Sequence, residues 1–369
     1  MKNIYLILIY FALASCELST DRDYSNIELS EIKQVSNDLD IDKITLLEST
    51  NSNLLGTFLD VKFNQDYFWV LDLDNRDAVH GFNSSGKYIG YTGEVGEGPN
   101  HIPNISDFQF LENEITTLST FGDQIQISKF TYGNRLINKK RVPFNCFSFT
   151  RNQNGSFWLY SGYNIIAGNY RLKLISEEGG LQKEFFENDF VENMLPLTEP
   201  SFFSGENEIL FRETLKPIIF SLGDSGPIEK YRFDFGSLQV PDDFWEMDDP
   251  FKGFEMINKQ GFANINFIYE TKTHLLVDVL IQNESGVKKE IVILNKVKNE
   301  WIKIKVDEEN TGYFYTPIGL TGDQIIFISY APYVVRNLEK LTLSTAAKNS
   351  LKSLTEESNP VIIYAKIPD

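Results

Sequence analysis

Six times along the chain the sequence repeats one short phrase: an apolar strand end, a polar turn of three or four residues, then a tight apolar cluster. The first copy pairs Val61-x-Phe63 with Phe68-Trp69-Val70, and the second pairs Phe108-x-Phe110 with Ile115 to Leu118. Phe147-x-Phe149 with Phe157 to Tyr160 is the third, and Phe202-Phe203 with Ile209-Leu210-Phe211 the fourth. The last two join Phe267-x-Tyr269 to Leu275-Leu276-Val277 and Ile318-x-Leu320 to Ile325-Ile326-Phe327. Successive clusters start 47, 42, 52, 66 and 50 residues apart. Repeats of about 40–50 residues, each holding about four short strands, are what a propeller blade requires. One blade cannot bury both its faces, so neighbours must stack and the ring must close. The expected fold is all-β, a single six-bladed β-propeller over residues 27–369. A hydrophobic fraction of 42% supports a full core, and 29 Phe with 17 Tyr favour strands over helices.

Two stretches depart from the repeat. Residues 236–262 lengthen the fourth interval, and Pro241, Pro250 and clustered acids there predict a long connecting loop. Residues 337–353 carry Leu338, Leu341, Leu343, Ala346, Ala347 and Leu351 at helical spacing, which predicts a short helical insertion before the last strand. The alternative is a helix that only covers one edge of the final blade. That last strand, Val361 to Ile367, should close the ring against an N-terminal strand near Ile44 to Leu47.

The amino terminus supplies an address. Lys2 precedes an apolar run from Ile4 to Ala14, too short for a spanning helix of about 20 residues and of the right length for a signal-peptide core. The run ends in Leu13-Ala14-Ser15-Cys16, which resembles the bacterial lipobox: small residues admit the peptidase, and only a thiol accepts the diacylglyceryl group. Residues 1–15 are thus expected to be cleaved and Cys16 to carry lipid, several acyl chains giving a stable anchor. Residues 16–26 should form a flexible polar tether. Acids at Glu17, Asp21 and Asp23 resemble a surface-export signal, so the expected location is the outer membrane, on its outer or its periplasmic face. The mature chain would carry a net charge of −19, one lysine fewer than the −18 of the full sequence, which argues against a nucleic-acid partner.

Lipobox, six irregular blades, the segment Gly93-Glu94-Val95-Gly96-Glu97-Gly98-Pro99 after the first blade and Asn359-Pro360 before the last strand together resemble the six-bladed β-propeller lipoproteins of Bacteroidota. Phe82-Asn83-Ser84-Ser85-Gly86-Lys87 also resembles the NHL-type propellers. The resemblance implies a fold and an address; it brings no activity with it.

Candidate chemistry is sparse. The Gly93 segment lacks the Lys and Ser/Thr ending and the following helix of a phosphate loop, so it reads as an inter-blade turn. Asp72, Asp74 and Asp77 sit at alternate or near positions where carboxylates could hold Ca²⁺, and Asp also makes ordinary turns by bonding its own backbone. His80, His101 and His274 are not at metal-ligand spacing. Cys146, the remaining thiol, lies in an aromatic strand pattern that predicts a buried, inert group. The strongest ligand candidates are aromatic residues set among acids: Phe244, Trp245 and Phe251, with Tyr313, Tyr315, Tyr330 and Tyr333 adding to the same rim. Rings stack on sugar faces and carboxylates take hydroxyls, so a glycan or a polypeptide is the expected ligand. A complete fold pattern without a catalytic signature points to a lipid-anchored binding module. The alternatives are a metal-dependent hydrolase, lactonase or lyase at the channel mouth, and a structural subunit of an envelope complex.

Overall fold

The computed structural model describes residues 24, 26–35, 39–98, 100–111, 113–164, 168–188, 195, 199–306 and 316–368. Cys16 and the signal segment lie outside them. The chain first lays down Ile27–Glu28 (β1), Lys33–Val35 (β2) and Ile41–Leu46 (β3). Blade 1 follows as Leu59–Phe63 (β4), Tyr67–Asp72 (β5), Val79–Asn83 (β6) and Tyr88–Thr92 (β7). Blade 2 is Asp107–Leu111 (β8), Glu114–Phe121 (β9), Gln124–Thr131 (β10) and Leu136–Val142 (β11). Blade 3 is Ser148–Arg151 (β12), Phe157–Tyr160 (β13), Tyr170–Ile175 (β14) and Leu181–Glu187 (β15). Blade 4 runs through Phe202–Ser204 (β16), Ile209–Arg212 (β17), Ile218–Gly223 (β18) and Gly226–Asp234 (β19). Blade 5 is Phe262–Glu270 (β20), His274–Asn283 (β21), Gly286–Asn295 (β22) and Glu300–Val306 (β23), and blade 6 begins with Thr316–Thr321 (β24), Gln324–Ser329 (β25) and Val361–Lys366 (β26).

These strands form six separate sheets, each built on four antiparallel strands, and the protein is a six-bladed β-propeller. Every copy of the repeated phrase is the hairpin between the first two strands of a blade. The second strand is pressed by neighbouring blades on both faces, which is why it reads as a continuous apolar run. Phe68, Trp69, Val70 and Leu71 of β5 are all buried, as are Leu275, Leu276 and Val277 of β21. The outer strand β11, by contrast, alternates toward solvent and carries Lys139, Lys140 and Arg141.

Closure follows the expected route. β26 pairs antiparallel with β3, Ile363 opposite Ile44 and Val361 opposite Leu46, so the N-terminal strand becomes the outermost strand of blade 6. Asn359 locks the link to blade 1. Its side chain accepts from Leu55 N at 2.9 Å and donates to the carbonyls of Glu48 and Asn53 at 3.0 and 2.9 Å.

An N-terminal belt was not legible in the pattern. β1 adds to β19 and β2 to β23, both in parallel, so one short segment caps the outer edges of blades 4 and 5 before β3 completes blade 6. The belt begins inside the stretch expected to be tether: the Tyr24 ring lies 5.2 Å from Tyr231 and 6.0 Å from Trp301. Unpaired sheet edges are templates for association, and covering them removes that hazard.

The first irregular stretch differs from expectation. Residues 236–262 hold helices Asp242–Trp245 (α1) and Pro250–Gln260 (α2) rather than a long loop. The Asp249 side chain caps α2 by accepting from Phe251 N at 3.0 Å, Pro250 opens it and Gly261 ends it at φ 84°. Those residues are start and stop signals of a helix as much as of a loop. The short helical insertion expected over 337–353 is present but broken, as a 3-10 turn at Leu338–Lys340, a helix at Thr345–Ser350 and a second 3-10 turn at Leu351–Ser353; the helix Ala331–Arg336 (α3) precedes it, which makes Thr345–Ser350 α4. The break comes where Ile41 N donates to Thr342 O and Ser344 N donates to Ile41 O, which draws the insertion down along β3 as a cover for blade 6's edge.

A buried ionic network joins blades 4 and 5. Glu270 accepts from Lys230 Nζ at 2.7 Å and Tyr231 OH at 2.6 Å, and pairs with Lys296 Nζ at 2.8 Å. Burial alone would raise its pKa, but the hydrogen bonds from Lys230, Lys296 and Tyr231 outweigh it and hold the carboxyl below its ordinary value of 4.5. A depressed carboxyl contributes stability above its unfolded pKa and loses it as pH falls through the folded one. Glu270→Gln should therefore cost about 3 kcal/mol in urea unfolding at pH 7, with the deficit shrinking below pH 4.5; a deficit independent of pH would contradict this. Closure predicts that Ile44→Ala costs about 2–4 kcal/mol, whereas Ile137→Ala on the exposed face of β11 should change the same unfolding curve by less than about 0.5 kcal/mol.

Candidate functional site

The first strand of each blade, β4, β8, β12, β16, β20 and β24, faces the ring axis, and together they enclose a channel of about 1330 Å³. The middle residue of the repeated phrase supplies part of the wall in blades 1 to 3, where Lys62, Gln109 and Ser148 line it. A polar residue between two apolar ones, at the inner strand of three consecutive blades, was the available signal for this site.

The channel's charges are largely satisfied within the wall. Lys62 Nζ reaches Asp107 at 2.9 Å and Asp60 at 3.2 Å, and it also donates to Phe108 O. Burial works against the lysine's charge, but Asp107 and Asp60 outweigh it and raise the pKa; burial raises that of Asp60. Asp107 further accepts from Phe149 N at 3.0 Å and Ser148 Oγ at 3.2 Å, so one carboxylate ties the inner strands of blades 1, 2 and 3. Lys289 pairs with Asp278 at 3.3 Å, and Asp278 also accepts from Asn266 Nδ2 at 2.9 Å. Glu199 takes Arg212 Nη1 at 3.2 Å and Asn264 Nδ2 at 3.2 Å. Arg151 meets Glu114 at 3.0 Å, Glu208 meets Lys230 at 2.5 Å, and Glu206 meets Lys296 at 3.7 Å. Of the charged lining residues, only the Asp224 carboxylate has no ion pair among the described residues.

Tight hairpins end the inner strands on one face of the ring, and that mouth is aromatic and amide-rich. Phe63, last in β4, stacks on Tyr269 near the end of β20 at 5.8 Å and 18°. The two rings meet across Gly319 of β24, where an added Cβ would lie 2.5 Å from Phe63 and 2.9 Å from Tyr269. A side chain at that position would push the pair apart. Both rings remain half-buried, burial raises the Tyr269 pKa, and its hydroxyl has no hydrogen-bond partner among the described residues. Gln153, Ser204 and Asn207 line the same mouth, with no side-chain partner among the described residues.

The residues singled out from the sequence are placed elsewhere. Phe244 is buried, at 4% exposure, in a small core with Tyr163, Leu215, Val240 and Ile257. Trp245 stacks near Tyr163 at 5.3 Å with Lys216 Nζ 3.7 Å over its ring. Phe251 alone of the three is open, at 83% exposure. Helix formation explains the difference, because α1 and α2 turn one aromatic face onto blades 3 to 5. Tyr330 and Tyr333 open the insertion between β25 and β26, where Tyr333 packs against the blade 6 core. Tyr313 and Tyr315 lie outside the described residues.

Asp72 and Asp74 are spent on backbone donors rather than gathered for Ca²⁺. Asp72 accepts from Gly56 N at 2.7 Å, Asp74 N at 2.9 Å and Asn75 Nδ2 at 2.7 Å, and Asp74 accepts from Thr57 N at 3.2 Å. Asp77 pairs with His80 at 3.3 Å, and that hydrogen bond lowers its pKa. Among the described residues no three His, Cys, Asp or Glu side chains are placed to hold a metal ion. The Gly93 segment packs around His101: a Cβ on Gly98 would meet its ring at 2.8 Å, and Gly96 N donates to Ile102 O, so these amides serve the turn. Cys146 is buried and free, and burial pushes its thiol pKa up, with Asp107 adding to the effect.

Among curated proteins, none matches this sequence. A crystal structure of a Bacteroides fragilis NCTC 9343 protein assigned as exported superposes with a TM-score of 0.76 at 15% identity, over 93% of this chain and 99% of that one. That likeness concerns the fold. A Bacteroides caccae protein of unknown function gives 0.42 at 11% identity, over 68% of this chain and 88% of the other. Apo AztD from Citrobacter koseri gives 0.40 at 8%, over 89% and 97%. The family model of the domain of unknown function DUF4934 matches residues 27–366, and the chain belongs to that family.

Proposed function

We propose that this protein is an exported binding module, held at the outer membrane by lipid on Cys16, and that its central channel takes the ligand, a glycan or a polypeptide. The observation that carries the reading is the channel itself: about 1330 Å³, lined by aromatic rings and by amides and hydroxyls of which Gln153, Ser204, Asn207 and Tyr269 have no side-chain hydrogen-bond partner among the described residues. Ligand pockets are concave, mostly apolar and equipped with a few converging polar groups, typically within about 300–1,000 Å³. A channel above that range suits an oligomeric ligand. The anchor reading is supported by Leu13-Ala14-Ser15-Cys16 and by the belt, which starts at Tyr24, only eight residues beyond the cysteine.

Two measurements test this. Full-length protein should enter the detergent phase in a cloud-point partition, and Cys16→Ala should move to the aqueous phase; wild-type protein in the aqueous phase would remove the anchor. A bulky Gln109→Trp substitution in the channel wall should abolish binding to any ligand found by glycan and peptide arrays while leaving the unfolding midpoint close to wild type. Undiminished binding by that variant would place the site elsewhere.

A further inference from the structure

We infer that the hairpin-side mouth of the channel is a subsite for a neutral oligosaccharide, a reading that rests on the channel being the binding site and names its ligand. Three observations at that mouth converge on it.

The first is electrostatic. An acidic protein with a net charge of −18 would ordinarily be expected to seek a cationic ligand. In the lining, however, each cation and each carboxylate except Asp224 meets an opposite charge among the described residues, Asp60 and Asp107 sharing Lys62. A charged ligand would have to break one of these pairs or enter unpaired, and either course costs free energy. Uncharged polar groups face no such penalty.

The second is the aromatic pair. Phe63 and Tyr269 come from blades 1 and 5 and meet only because Gly319 on the blade between them has no side chain. Two half-buried rings held in register at a cavity mouth offer apolar surface of the kind that the C–H face of a pyranose covers. Glycine inside a strand marks a place where another group approaches closely.

The third is the set of unspent hydrogen-bonding groups. Gln153, Ser204 and Asn207 stand at the hairpin ends of blades 3 and 4, and the Tyr269 hydroxyl is likewise unpartnered among the described residues. Amides and hydroxyls both donate and accept, which matches sugar hydroxyls that do the same. An extended peptide would want backbone pairing along a strand edge, and the inner strands at this mouth are already turning into hairpins.

The test is isothermal titration of the full-length protein in detergent with neutral hexasaccharides (cellohexaose, xylohexaose, mannohexaose and chitohexaose), hexalysine, hexaglutamate and a neutral hexapeptide. At least one hexasaccharide should bind, with an affinity changed less than about twofold between low and high salt, since no ion pair forms. Tyr269→Ala should weaken that binding at least tenfold, with Phe63→Leu weakening it less. Trp245→Ala, outside the channel, should leave it unchanged. If Tyr269→Ala proves unstable, Asn207→Ala together with Gln153→Ala supplies the same readout on exposed turn residues. Failure of every hexasaccharide, or sugar binding indifferent to both Tyr269→Ala and the turn pair, overturns the oligosaccharide. Binding of a peptide that is lost in Gln109→Trp overturns the sugar while keeping the channel. Binding that survives Gln109→Trp overturns the channel as well.

Discussion

The whole architecture depends on face-to-face burial between blades. Each small sheet has two apolar faces and no partner of its own, so the free energy of hiding them is realised only when neighbours stack around a closed ring. The second strands show the consequence, with both faces of β5, β13 and β21 removed from water. Closure is supplied by the one strand drawn from the other end of the chain, β3 beside β26, and Asn359 ties the seam by bonding three backbone groups of the connection to blade 1.

A ring of stacked blades also creates edges, and the protein treats them differently around its circumference. Blades 4 and 5 gain a parallel strand from the N-terminal belt, and blade 6 is covered by the broken helical insertion. Blade 2 instead presents a lysine-rich outer strand, whose charges discourage pairing with a second chain. The belt and β3 together root the N-terminal segment into three successive blades.

The inner strands line the channel. Because their edges face the axis, the residue that alternates between two core positions is the one shown to the channel. Polar and charged groups there would be costly if left alone, and most are matched within the wall: Lys62 between Asp60 and Asp107, Lys289 with Asp278, Glu199 with Arg212. Such pairing stiffens the channel and leaves amides, hydroxyls and ring faces as the groups on offer. The hairpin-side mouth is where these are concentrated.

From the sequence alone, the blade number, the hairpin of each blade, the strand that closes the ring and the burial of Cys146 could all be read, because apolar spacing along a chain reports directly on which strands are buried. Local signals failed where they were ambiguous: Asp249, Pro250 and Gly261 bound a helix as readily as a loop, and only packing of Phe244 and Ile257 onto the blades chose between them. The belt escaped notice because strands of two and three residues carry no periodicity. The channel was hidden for a deeper reason. Lys62 and Phe63 lie tens to hundreds of positions from Asp107, Tyr269 and Gly319, and nothing along the chain says that they converge; ring closure brings them to one axis, and only then do their charges pair and their rings meet.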